Sequence, residues 1–118
     1  MLDAGIPVFF SSDAPVCDAR PLVGIHAAVT RQRKDGTPEG GWYPGQRISV
    51  DEAVRGYTIV PATTYGREHE LGSITPGKRA DLVILDRDIY SVDPMEIVNT
   101  RVDLTLFDGR IVYRSDAF

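Results

Sequence analysis

The apolar positions of this chain change spacing part-way along, and the change separates helical from strand-like segments. Near the start, Leu2-Asp3-Ala4-Gly5 reads as the tail of a helix closed by a glycine. Ile6-Pro7-Val8-Phe9-Phe10 is then apolar on both faces, the pattern of a buried parallel strand, and stops at Ser11-Ser12-Asp13-Ala14-Pro15. Leu22, Val23, Ile25, His26, Ala28 and Val29 recur at near-helical spacing. Pro21 suits the first turn of that helix, and the cations of Thr30-Arg31-Gln32-Arg33-Lys34 suit its last, with Asp35-Gly36 as the stop. Ser49-x-x-Glu52 is a capping box ahead of Ala53, Val54, Tyr57 and Thr58. That helix is expected to end before Pro61, with Pro61-Ala62-Thr63-Thr64-Tyr65 forming a second short one closed by Gly66.

Beyond residue 70 the pattern is β. In Thr75-Pro76-Gly77-Lys78, the proline presets φ and the glycine supplies a positive φ, which predicts a type II turn. The apolar run Ala80 to Leu85 between Asp81 and Asp86 is a strand by length. Residues 88–94 form a polar connector, and Pro94-Met95-Glu96-Ile97 allows one helical turn. Two alternating segments, Val102–Phe107 and Arg110–Tyr113, flank Asp108-Gly109 and predict a hairpin with a type I′ turn.

Composition narrows what such a chain can do. At 118 residues it holds one domain's worth of core. No basic patch argues for nucleic acid, and no apolar run approaches the ~20 residues of a membrane helix. The net charge of −4 lies wholly after Arg47: residues 1–47 carry five acids and five bases, residues 48–118 twelve and eight. Cys17 is the single cysteine, so an internal disulfide or thiolate cluster is excluded. The amino terminus lacks the pattern of a secretory leader, which makes a cytoplasmic protein the expectation.

Two positions carry candidate chemistry. Asp13 follows an apolar segment of parallel-strand type, the place where barrel enzymes hold catalytic groups. Spacing alone leaves it open between that role and the capping of a turn or short helix. Trp42 sits with Tyr43 in a Gly- and Pro-rich loop, which by composition reads as surface punctuation. His26 falls within a helix and His69 in the charged loop Arg67-Glu68-His69-Glu70.

Gly72-Ser73-Ile74-x-Pro76-Gly77-Lys78-x-Ala80-Asp81-Leu82-Val83-x-Leu85-Asp86 resembles the carboxy-terminal signature of metal-dependent amidohydrolases, the urease and dihydroorotase superfamily. Ser12-Asp13-x-Pro15, Ala28-Val29-Thr30-Arg31 with Gly41-Trp42 and Gln46-Arg47, and Phe107-x-Gly109-x-Ile111-Val112-Tyr113 are similar to amidohydrolase family 3. The resemblance implies an α/β fold in two parts. Residues 1–70 are the last strand and flanking helices of a (β/α)₈ barrel, and residues 71–118 are closing strands of a small β-sandwich. A complete barrel takes roughly 200 residues or more, so this chain corresponds to a fragment of one.

By the same resemblance, Asp13 binds a divalent metal, zinc, in the intact enzyme and acts as general base on the metal-bound water. Trp42 lies near the mouth of the barrel, either as a substrate-pocket residue or as an aromatic that pins the loop to the barrel. The substrate is a small molecule with a non-peptide C–N bond. His26 and His69 match no ligand position, and the chain alone is expected to hold no metal and to be inactive. Unpaired apolar segments such as Ile6–Phe10 lead to the expectation of a homo-oligomer. The alternative is a self-standing, non-catalytic structural or binding module built from the same segment.

Overall fold

The capping box forms as the sequence requires and fixes the start of the second helix. In a computed structural model that describes residues 1–118, the Glu52 N–H donates to Ser49 Oγ at 3.2 Å, and the Ser49 N–H donates to Glu52 Oε2 at 2.7 Å. The helix order is α1 (Pro21–Thr30), α2 (Val50–Tyr57) and α3 (Ile59–Thr64), preceded by a single 3₁₀ turn, Leu2–Ala4, closed by Gly5 at φ 70°. Pro61 explains the break between α2 and α3. A continuous helix would set its ring against the Tyr57 carbonyl and lose a donor there. The chain instead breaks at Thr58 (φ −127°, ψ −89°) and restarts at Ile59, two residues earlier than expected. This places Pro61 in a first turn, where no donor is needed.

α1 stops at Thr30 and does not run on through the cations. Arg31 takes a left-handed conformation (φ 58°), and its N–H closes the helix on Ala27 O at 2.9 Å. The neighbouring loop satisfies the exposed carbonyls: the Trp42 N–H donates to Arg31 O at 2.8 Å and Arg47 Nε to Thr30 O at 3.1 Å. Arg33 and Lys34 therefore lie beyond the helix instead of complementing its dipole.

The core is small. Ile25 of α1, Ala53 of α2, Ile89 and Ile97 form it, with Leu22, Val54, Tyr57 and Leu85 packed around them. A 3₁₀ turn, Pro94–Asn99, lies across α1, and its Pro94 carbonyl sits 3.2 Å from Nδ1 of the buried His26. Gly24 allows α1 and α2 to close together, because a Cβ there would fall 1.9 Å from the Tyr57 hydroxyl.

Three antiparallel strands make one sheet in the order β1 (Leu82–Leu85), β2 (Val102–Phe107), β3 (Arg110–Arg114). Leu82 pairs with Leu106 and Ile84 with Leu104, while Thr105 pairs with Tyr113. Asp108 and Gly109 both have positive φ (50° and 77°), as the type I′ turn demands. β1 begins at Leu82, later than the apolar run suggests, because the two preceding residues hold the hairpin tip. The Gly109 N–H donates to Ala80 O at 3.0 Å and the Asp108 N–H to Asp81 Oδ1 at 2.7 Å. The strand is also less buried than its composition implies: Val83 is 59% and Ile84 40% exposed. Of the sheet residues Leu85 packs against the helical cluster and Leu104 is buried, while no helix packs extensively on the sheet.

Residues 6–10 form no strand. A strand needs a neighbouring backbone, and here the segment has one backbone bond to the body, from the Phe10 N–H to Gly56 O at 3.1 Å. The Phe10 ring packs on Tyr57 with centroids 5.5 Å apart, and Ile6 and Phe9 are left exposed.

The turn ahead of β1 is of the expected type. Gly77 has φ 93°, and the Lys78 N–H donates to Thr75 O at 3.1 Å. Nothing lies within 4 Å of a Cβ built on Gly77, so a side chain there meets only backbone strain. Gly77→Val is expected to cost ~1–3 kcal/mol, read as a lower melting temperature; an unchanged one refutes the strain.

Asp86 locks the far end of β1. Its carboxylate, largely covered, accepts from Arg87 Nε at 3.2 Å and from the Arg101 N–H and Nε at 3.0 and 3.2 Å. The bonds from Arg87 first, then Arg101, hold its pKa down at about 2, against an ordinary 3.8. A depressed carboxylate stabilises the fold above its unfolded pKa and loses that contribution as pH falls through the folded one. Asp86→Asn should therefore lower the melting temperature at pH 5, with the gap to wild type closing by about pH 2. A gap that persists at pH 2 would assign the effect to something other than ionisation.

Candidate active site

Asp13 stands in a tight turn directly after the Phe10 anchor. The Val16 N–H donates to Asp13 O at 2.9 Å, the Cys17 N–H to Ser12 O at 3.2 Å, and the Asp13 N–H to Ser11 Oγ at 3.1 Å. The backbone at Asp13 is left-handed, φ 49°, a conformation that a non-glycine residue holds only when its surroundings impose it. The Asp13 side chain is exposed and its carboxylate accepts no hydrogen bond. Asp13 thus caps neither the turn nor the following helix. Nearby Asp18 is different. Hydrogen bonds from the Arg20 side chain, then from its backbone, hold the Asp18 carboxylate well below the usual range, and its oxygens are occupied.

The Trp42 loop is rigidly tied to the end of α1. Arg31 Nε donates to Trp42 O at 3.0 Å, its guanidinium lies 5.2 Å from the centroid of the Trp42 ring, and Tyr43 meets that ring edge-on at 4.7 Å. Arg47 also donates to Gly40 O. Both aromatic rings remain more than half exposed, at 62% and 66%. The tie is the pinning contact that the sequence allowed for, and it leaves one face of Trp42 open. Arg31 and Arg47 were legible only as parts of motifs; neither charge pattern nor spacing assigns them to this loop.

Asp13, His26 and His69 are not brought together. His26 is buried against Pro94 and His69 is exposed in its loop. No three His, Cys, Asp or Glu side chains converge anywhere in the chain. A catalytic zinc takes about three protein ligands and an open position, so the residues of this chain do not by themselves fit a metal centre.

The model of the amidohydrolase family matches residues 1–113. This chain belongs to amidohydrolase family 3. It is 41% identical over 113 residues to N-substituted formamide deformylase of Arthrobacter pascens, covering 96% of this chain and 20% of that one. It is 37% identical over 112 residues to an imidazolonepropionase of Parabacteroides distasonis, covering 86% of this chain and 27% of the other. Among solved structures, an amidohydrolase from Thermotoga maritima superposes with a TM-score of 0.65 at 27% identity, over 97% of this chain and 24% of that one. The amidohydrolase chain described here therefore spans about a fifth to a quarter of the length of these relatives. The match includes the Asp13 turn, the Trp42 loop and the β1 signature alike. No helix is long and apolar enough to cross a membrane.

Proposed function

We propose that this chain is the part of a metal-dependent amidohydrolase that supplies its general base, Asp13. One observation carries the reading: an exposed carboxylate, free of hydrogen bonds, held on a left-handed turn whose backbone groups are satisfied. Such a group can accept a proton from the attacking water and hand it to the leaving nitrogen as a C–N bond of a small, non-peptide amide breaks. In the intact enzyme Asp13, with ligands outside this chain, would hold a divalent metal, zinc, which would supply Lewis acidity. The exposed face of Trp42 lies against the substrate. In the intact enzyme residues 1–70 would belong to the barrel, where 6–10, which form no strand in this chain, would pair as its last strand, and residues 71–118 would belong to a β-sandwich. The enzyme works in the cytoplasm.

The lack of converging metal ligands favours a second reading, a non-catalytic module that keeps the segment as scaffold. On either reading the exposed Ile6 and Phe9 and the open sheet face draw copies of the isolated chain together as a homo-oligomer. Elemental analysis of the purified chain tests the first reading: Asp13 without partners should retain no stoichiometric zinc and show no hydrolase activity. One tightly held metal per chain would place a complete centre within these residues and refute the proposed division of ligands.

A further inference from the structure

Arg31 occupies a position where glycine would cost less. It is the left-handed residue that ends α1, φ 58°, and helices usually place a residue without a Cβ there. Its side chain is then fixed at two points. Nε donates to Trp42 O at 3.0 Å, and the guanidinium carbon lies 5.2 Å from the centroid of the Trp42 ring. Gly41 lets the loop press close, since a Cβ there would fall 3.3 Å from Arg31 Cβ and 2.9 Å from Arg47 Nη2. A second guanidinium is thereby held next to the Arg31 stem. Arg31 Nη1 and Nη2 donate to nothing in the chain, and neither does Arg47 Nη1.

The charge here is uncompensated. Residues 31–47 carry Arg31, Arg33, Lys34 and Arg47 against Asp35 and Glu39, a positive surplus in a chain of net charge −4. Arg20, Arg67, Arg79, Arg87 and Arg101 each face a carboxylate at 3.2 Å or less. Arg31, Arg33 and Arg47 face none, and Asp35 Oδ1 is taken by the Thr37 hydroxyl at 2.6 Å. A mobile surface arginine needs no partner. One held by its Nε and by an aromatic ring presents its outer N–H groups as a fixed fork, the geometry that meets two carboxylate oxygens. The fork also belongs to the neighbourhood of Asp13. Lys34, on the same loop, lies 4.0 Å from Asp18. Asp18 follows Cys17, whose N–H closes the Asp13 turn on Ser12 O at 3.2 Å.

We propose that Arg31 is a specificity residue that binds a carboxylate on the substrate, so that the small C–N compound hydrolysed is an anion. The inference rests on the reading of this chain as part of a hydrolase whose general base is Asp13. Trp42 and Arg47 hold the Arg31 fork in place, and their rigidity replaces the ordering that a free arginine would undergo on binding.

Trp42 is the single tryptophan, so the emission of the full 118-residue chain reports on this loop directly. N-formylglycine, a small amide with a carboxylate, is titrated against N-formylglycinamide, its uncharged match in shape, at fixed ionic strength. The expected result is a saturable change with the carboxylate and binding at least ~10-fold weaker for the amide, the worth of ~1.4 kcal/mol. Arg31→Lys keeps the charge but loses the fork, and should weaken binding by the same factor. Arg33→Gln with Lys34→Gln should leave it within ~2-fold, as screened surface charges do. Equal binding of the two formyl compounds, no saturable binding of N-formylglycine, or a larger loss in the double variant than in Arg31→Lys overturns the proposal. Arg31→Lys also removes the Nε bond to the loop, so the wild-type chain supplies an independent reading. The NMR signal of the Arg31 Nε–H should move with N-formylglycine and stay with its amide; an unmoved signal overturns the proposal as well. Hydrolysis is read separately, in a graft of residues 1–113 in place of the matching fifth of the Arthrobacter pascens deformylase. Carboxylate binding without turnover retains the Arg31 site and refutes the catalytic reading. Turnover indifferent to the carboxylate and to Arg31 retains the catalytic reading and refutes the site.

Discussion

Asp13→Asn should leave the chain folded and lower kcat of the assembled enzyme by about 10²–10⁴-fold, the scale of general-base catalysis. Within this chain the substitution changes chemistry and not packing. The Asp13 carboxylate accepts no hydrogen bond, so replacing it with an amide removes no contact. Asparagine tolerates the left-handed region at least as well as aspartate, which keeps φ 49° accessible. The backbone bonds from the Val16 N–H to Asp13 O and from the Asp13 N–H to Ser11 Oγ do not involve the side chain. What disappears is the carboxylate charge, which serves both as proton acceptor and as proposed metal ligand, so metal content is measured alongside kcat. The measurement is kcat of the graft, alongside its melting temperature. An unchanged kcat would make the turn a scaffold, and a fall in both quantities together would make Asp13 structural.

Local chemistry was readable in the sequence wherever a short motif determines its own geometry. Ser49 and Glu52 cap each other, Gly77 takes its positive φ, and Asp108-Gly109 turns the hairpin, because each involves residues within one turn of chain. Misreadings arose where the outcome depends on distant partners. The cations after Thr30 look like a helix end, yet the Trp42 loop takes the terminal carbonyls first and turns the chain at Arg31. Ile6–Phe10 has the composition of a buried strand but no neighbouring strand in this chain, and composition cannot supply one. The same holds for Val83 and Ile84, apolar residues on opposite faces of β1 that are left 59% and 40% exposed.

The site was legible to a similar degree. Asp13 could be picked out from its place after an apolar segment, but only the structure excludes a capping role, since capping depends on which N–H groups lie within reach. Trp42 was identifiable as an aromatic in a glycine-rich loop. Its lock through Arg31 and Arg47 was not, because those contacts span 11 and 17 residues.

Gly72→Ala should be strongly destabilising, costing about 3 kcal/mol and lowering the melting temperature by roughly 10 °C. Two effects add at this position. Gly72 holds φ 86°, so any side chain there meets left-handed strain of ~1–3 kcal/mol. A Cβ would also fall 2.8 Å from Ile59 Cα and 3.0 Å from Thr58 O, which are backbone atoms unable to move aside, and 2.8 Å from Ala62 Cβ. Gly77→Ala separates the two effects, because Gly77 has φ 93° and open space around its Cβ. If the contacts matter, Gly72→Ala must lower the melting temperature clearly more than Gly77→Ala; equal losses would leave only backbone strain. The contacted residues are the break between α2 and α3, and α2 holds the Phe10 anchor through Gly56. A wedge at Gly72 therefore presses on the helix pair that fixes the segment leading to Asp13, so the assembled enzyme should lose activity along with stability.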